Sequence, residues 1–134
     1  LNCLEDNQLA VDDSLIVFGD FSFESGQQAM KQYLHQTMPT AIVCASDDVA
    51  LGLISVAHQA GIRVPDQLSV VGYDNTSIAW MTTPPLTTIA QPFYEMGARG
   101  CQRLIHSITK KQVMTSEIIP FELKERQTVR KLAR

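Results

Sequence analysis

Positive charge is scarce in this sequence: 11 Lys and Arg stand against 14 Asp and Glu over 134 residues, a formal net charge of −3. Affinity for nucleic acid rests mainly on Lys and Arg neutralising phosphates, so this chain alone makes a poor DNA binder. Its most basic stretch, from Lys124 to Arg134, reads as a solvated terminus rather than a phosphate contact. Cysteine is sparse too. Cys3, Cys44 and Cys101 are odd in number, far apart and without Cys-x-x-Cys spacing, which fits a reducing compartment better than a disulfide framework. Cys44 sits in an apolar run, where a buried thiol is ordinary. No apolar run is long enough to span a membrane, and no signal peptide opens the chain. The opening residues read instead like the end of a helix begun upstream.

Catalytic patterns are missing as well. His35, His58 and His106 are isolated, and no His-Glu-x-x-His, Gly-x-Ser-x-Gly, Walker or Gly-x-Gly-x-x-Gly pattern occurs. Asp47 and Asp48 are adjacent, so on a helix they cannot face each other as an acid–base pair. No catalytic residue, metal ligand or cofactor is therefore expected, and an enzyme is unsupported.

What the sequence does hold is a set of apolar runs, each stopping at a polar group. Leu15–Phe18, Ala41–Cys44, Leu68–Val71 and Leu86–Ile89 read as strands, with residues 14–19 as the first. They are followed by Asp20-Phe21, Ser46-Asp47-Asp48, Asp74-Asn75 and Gln91. Helix-like stretches separate the first three runs, so the strands should be parallel and their carboxyl ends should share one edge. Open α/β sheets bind ligands at that edge. A composition that is 45% hydrophobic supports one core of this kind.

Between the runs, a helix is expected from about Ser25 to Thr37, with Ala29, Met30, Tyr33 and Leu34 on one face. Gly26 tempers it, and Pro39 closes it. A second helix runs from Asp48 to Ala60, where Ser46 or Asp47 can cap the first turn and Gly61 suits the left-handed end. It is apolar on more than one stripe: Val49, Leu53 and Val56, then Ala50, Ile54 and Ala57, with Leu51 beyond both. A helix packed on a sheet needs one stripe. The excess fits a homodimer contact and burial between two layers of its own chain equally well. The loop Asp74–Pro85 carries Ile78, Trp80 and Met81, and a third helix follows Pro92 with Phe93, Gly97, Cys101, Leu104 and Ile108 on one face. Ile118–Phe121 reads as an edge strand, because Pro120 cannot donate to a ladder.

The polar groups at the strand ends suit binding. A carboxyl such as Asp74 can take two donors of a sugar or nucleobase, and Phe21 offers a flat face. Singly, Phe21 reads as a core aromatic and Asp74 as a turn residue. Their joint placement favours a site.

Three ordered stretches are recognisable. Pro39–Gly52, Gly61–Asn75 and Pro84–Pro92, with Gly97 after it, resemble the LacI/GalR family of bacterial transcription regulators. The resemblance covers essentially the whole chain. It implies an α/β fold: the parallel-sheet, three-layer αβα lobe of a type I periplasmic-binding-protein-like module, truncated. Residues 1–91 would be the C-terminal effector-binding lobe without its first strand, 92–119 a segment crossing to the other lobe, and 120–134 a return strand and tail. The family's helix-turn-helix domain is absent. Carried over residue by residue, the ligand-binding positions are Phe21, Ser46, Asp47, Asp74 and Gln91. Position 46 is Asn in some sugar repressors and Ser here. Phe rather than Trp at position 21 resembles the family's ribose, purine and cytidine repressors. Leu51 and the stretch Trp80–Thr82 match the dimer surface, with Ile54 beside Leu51 on the over-apolar helix. The implied protein is a homodimeric repressor whose small-molecule effector is a nucleoside, ribose or nucleobase. It would bind operator DNA through the missing domain and make no membrane contact. An exported solute-binding protein of the same fold is the alternative.

Overall fold

Ser46 starts the helix around which the fold is arranged. In the computed structural model, which describes residues 2–111, 113 and 115–131, it lies beyond the end of strand β1, Ala41–Val43, and its extended backbone (φ −151°) opens helix α3, Asp47–Gln59. The chain reaches β1 through helix α1 (Asn2–Asp6), a 3-10 turn (Asp13–Leu15) and helix α2 (Phe23–Leu34). After α3 come β2 (Ser69–Asp74), α4 (Ile78–Met81), β3 (Thr87–Ala90), α5 (Phe93–Lys110) and β4 (Glu122–Lys124). Leu1 and residues 132–134 of the expected opening helix and tail lie outside the described residues.

The sheet has the order β1-β2-β3-β4, with the first two pairings parallel and β4 antiparallel to β3. It is the parallel-dominated α/β sheet that the alternation of runs and helices leads one to expect. Met30 on α2, Leu53 and Ile54 on α3, Leu68 and Val70 at β2, and Leu86 before β3 form the core. Fully burying side chains of this size stabilises by roughly 1.5–3 kcal/mol each. Helices α2 and α3 approach backbone to backbone. A β-carbon on Gly26 would strike the Val49 carbonyl, and one on Gly52 the Phe23 carbonyl. Gly26 therefore sits in α2 because only a residue without a side chain allows that crossing.

Two runs depart from expectation. Residues 14–19 form no strand: the 3-10 turn takes Ser14 and Leu15, and the rest stays out of the ladders, with Phe18 93% exposed. A groove of about 150 Å³ separates Val17-Phe18-Gly19 from Ile42-Val43 of β1, so the two backbones do not pair. The last strand begins at Glu122 rather than within Ile118–Phe121. Ile118 and Phe121 stay exposed, and the register on β3 is Thr88 to Lys124, Ile89 to Leu123 and Ala90 to Glu122.

The tail corrects a third expectation. Thr128 is fully buried, and its Oγ1 donates to the Val70 carbonyl at 2.6 Å while accepting from Thr87 N–H at 2.9 Å. Val70 N–H donates to the Thr128 carbonyl at 2.8 Å. Residues 126–128 are thus a structural strap over the start of β3, not a solvated end. Among the described residues no helix is long and apolar enough to cross a membrane.

Candidate functional site

Three of the five non-glycine residues with positive φ among those described lie where the sheet's carboxyl edge was expected: Phe21 (67°), Asp74 (107°) and Asn75 (56°). Side chains with a β-carbon rarely adopt this backbone, at a cost of roughly 1–3 kcal/mol each, unless the surroundings hold them there. At Phe21 the holding groups are polar. Asp20 Oδ1 accepts from Ser22 N–H at 3.1 Å and from the Ser22 hydroxyl, which keeps the Asp20 carboxyl below its usual range. Ser22 Oγ in turn accepts from Ser25 N–H and caps α2. The Phe21 carbonyl accepts from Ser46 Oγ at 3.1 Å. The Phe21 ring itself is 62% exposed.

Ser46 is consumed by this work. Its hydroxyl also accepts from Val49 N–H at 3.2 Å, capping α3 in the manner expected of an oxygen side chain, and the residue is buried. Asp47 is fully buried. Its Oδ2 accepts from Thr76 N–H at 2.7 Å and from Thr76 Oγ1 at 3.0 Å, and its Oδ1 accepts from Thr88 Oγ1 at 2.6 Å. Gly72 makes room for it, since a β-carbon there would collide with Asp47 Oδ1. Buried carboxyl oxygens demand such donors. The geometry makes Ser46 and Asp47 supports: one pins the Phe21 loop, and the other ties the turn after β2 to β3.

That turn presents Asp74. The residue is half-buried, and its Oδ1 accepts from Gln91 Nε2 at 2.7 Å. Asn75 N–H reaches Thr88 Oγ1 at 3.4 Å. The predicted residues thus form two groups, Phe21 with Ser46 and Asp74 with Gln91, and Asp47 braces the turn that carries Asp74. Phe21 lines the groove beside β1, whereas Gln91 lines a second one with Tyr73, Met96 and Phe121; Phe21 and Asp74 share neither. Behind the edge, burial pushes the Cys44 thiol up to about 12, with the nearby Asp47 adding to the effect.

The expected partner-face residues divide as well. Trp80 and Met81 on α4 are 66% and 77% exposed. Leu51 is half-buried, while Ile54 belongs to the chain's own core and Thr82 is buried with its hydroxyl donating to the Ala79 carbonyl. Part of the apolar breadth of α3 is therefore used internally. Residues absent from the expectations include Thr76, Thr88, Arg126 and Thr128. Polar Thr87-Thr88 inside an apolar run is a local sign of hidden hydrogen bonds; Arg126 and Thr128 carry none, because their partners lie 39 or more positions away.

The family model of the periplasmic binding protein-like domain matches residues 3–129. The HTH-type transcriptional repressor CytR of Escherichia coli (strain K12) is 41% identical over 126 residues, covering 92% of this chain and 37% of its own length. The chain thus spans little more than a third of that curated relative. A putative LacI transcriptional regulator from Bacillus cereus subsp. cytotoxis NVH 391-98 superposes with a TM-score of 0.90 at 30% identity, over 96% of this chain and 46% of that one. A LacI family regulator from Enterococcus faecium with bound ribose gives 0.81 at 28% identity, over 96% and 48%. The transporter alternative finds no such support. By the match over residues 3–129, this chain belongs to the periplasmic binding protein-like domain family, and the relatives it is similar to are LacI-type transcriptional regulators.

Proposed function

We propose that the carboxyl edge of this sheet grips the effector of a transcriptional repressor, and that the effector is a nucleoside or a pentose. The observation that carries the reading is the strained backbone of Phe21, Asp74 and Asn75, held by hydrogen bonds in the loops that follow the runs at the sheet's carboxyl edge. Gln91 fixes Asp74 Oδ1, which leaves Oδ2 to accept from a ligand hydroxyl or amino group. The exposed Phe21 ring supplies a face for a base or a sugar. In this reading residues 1–91 form the C-terminal effector lobe, 92–119 cross to a second lobe and 120–134 return. Leu51 and Trp80 belong to a homodimer face. Operator DNA is bound in the cytoplasm by a domain outside this chain, and the chain binds its ligand without turning it over. Support comes from the repressor CytR as a relative and from the ribose found in the Enterococcus faecium regulator.

The test is thermal unfolding of the protein carrying this chain at full length, against cytidine, adenosine, ribose and hypoxanthine. A ligand at a hundred times its dissociation constant adds about 2.7 kcal/mol of stability. Nucleosides are expected to stabilise and Asp74→Ala to abolish the effect. No response to any of the four, or an unchanged affinity in Asp74→Ala, would remove this assignment.

A further inference from the structure

Arg126 has the most unusual surroundings among the described cations. Its Nη1 donates to the Leu86 carbonyl at 2.6 Å and its Nη2 to Asn75 Oδ1 at 2.5 Å. Its backbone N–H donates to Thr87 Oγ1 at 2.9 Å. The guanidinium carbon lies 3.9 Å from the centre of the Trp80 ring. Nε is buried without a hydrogen-bond partner, and no carboxyl group lies within ion-pair distance among the described residues. A cation normally seeks a carboxylate. This one is held by two neutral oxygens on its edge and an indole on its face, a geometry that the flat guanidinium fork can satisfy and a lysine ammonium cannot.

The two ends of that contact belong to different parts of the molecule. Asn75 follows Asp74 in the strained turn at the sheet edge, and Trp80 stands exposed on α4. We propose that Arg126 is a positioning residue that couples the Asp74-Asn75 turn to the Trp80 surface, so that a shift of the turn reorients Trp80. The proposal deepens the effector reading, on which it rests for the meaning of the turn. Through Arg126, a ligand drawn against Asp74 changes the face that Trp80 offers to a partner. Coupling of this kind is carried by a contiguous chain of contacts, and Asn75, Arg126 and Trp80 form one.

Trp80 is the single tryptophan of the chain, so its fluorescence reports this contact without a label. The test uses no ligand, and its result is therefore independent of whether nucleosides bind. Asn75→Ala removes the Oδ1 acceptor, and Arg126→Lys removes the stacked plane. Each is expected to red-shift Trp80 emission and raise its quenching by acrylamide, with far-UV circular dichroism unchanged. The double variant is expected to do no more than the larger single one, because both cut the same link. Asn75→Asp keeps an acceptor in place and is expected to restore the parent emission. Trp80 fluorescence indifferent to Asn75→Ala, or effects of the two substitutions that simply add, would overturn the proposal. If Asn75→Ala fails to fold, the comparison of Asn75→Asp with Arg126→Lys decides it: a parent-like spectrum in the first and a shifted one in the second are expected, and any other pairing overturns it.

Discussion

The turn after β2 and helix α5 are both polar on one side, yet they are built on opposite terms. The turn is fixed by buried hydrogen bonds: Asp47 to Thr76 and Thr88, Gln91 to Asp74, Arg126 to Asn75. Helix α5 has no buried residue at all. Its charged side is tied by Glu117, which pairs with Arg99 and Arg103 at the surface. Its apolar side leaves Phe93, Leu104 and Ile108 between 53% and 69% exposed. One region has its structure specified from within the chain; the other has an amphipathic stripe whose counterpart is not among the described residues. Polar bonds count for most where water is excluded, and ion pairs at the surface contribute little.

The largest expected effect is at Asp47. Asp47→Ala strands the Thr76 N–H and the Thr88 hydroxyl and leaves a cavity beside Gly72. A loss of about 3 kcal/mol or more is expected from the urea midpoint, since each buried group left without a partner costs roughly 1–3 kcal/mol. Thr128→Val keeps the shape of a fully buried side chain and removes its two bonds, to Val70 and Thr87. About 1–3 kcal/mol should be lost, and a solvated tail would lose nothing.

The cysteines compare the same two regions. Cys101 on α5 and Cys3 are exposed, while Cys44 is buried with its thiol pushed up to about 12. Two thiols should react quickly with a disulfide reagent at pH 8, and the third only on unfolding. The sign of the linkage follows. Above the ordinary thiol range near 9 the unfolded chain releases the Cys44 proton and the folded chain keeps it, so stability falls as pH rises towards 12. Replacing Cys44 with Ala should flatten that decline in a pH series of denaturation midpoints. The smallest effect belongs to α5. Ile108→Lys should change the stability of this chain by less than about 0.5 kcal/mol. A large loss there would show that the apolar stripe is already covered.

Helices α2 and α3 and strands β1 to β3 were legible because each answers to its own periodicity and caps. Ser46 announces a helix start from its place before Asp47-Asp48, and the structure uses it so. The run 14–19 misled because apolar character says nothing about whether a neighbouring backbone lies at pairing distance. The strap at Arg126 and Thr128 was illegible for a related reason: charge counting weighs the tail by what it carries, while its bonds are to Val70, Asn75 and Leu86, remote in the sequence. At the candidate site, residue type gave Phe21, Ser46, Asp47, Asp74 and Gln91 alike as polar or flat groups at strand ends. It could not tell that the oxygens of Ser46 and Asp47 are buried and engaged within the chain, since their partners are remote in the sequence.

The crossing of Gly26 and Gly52 has a mechanical meaning. The contact sits about one turn from the start of each helix and about two turns from its end, measured along a 1.5 Å rise per residue. It is a fulcrum placed close to Phe21 and Ser46. Any rocking of one helix on the other swings Leu34 and Gln59 through the longer arm of the lever, while Phe21 and Ser46 at the sheet edge travel through the shorter one.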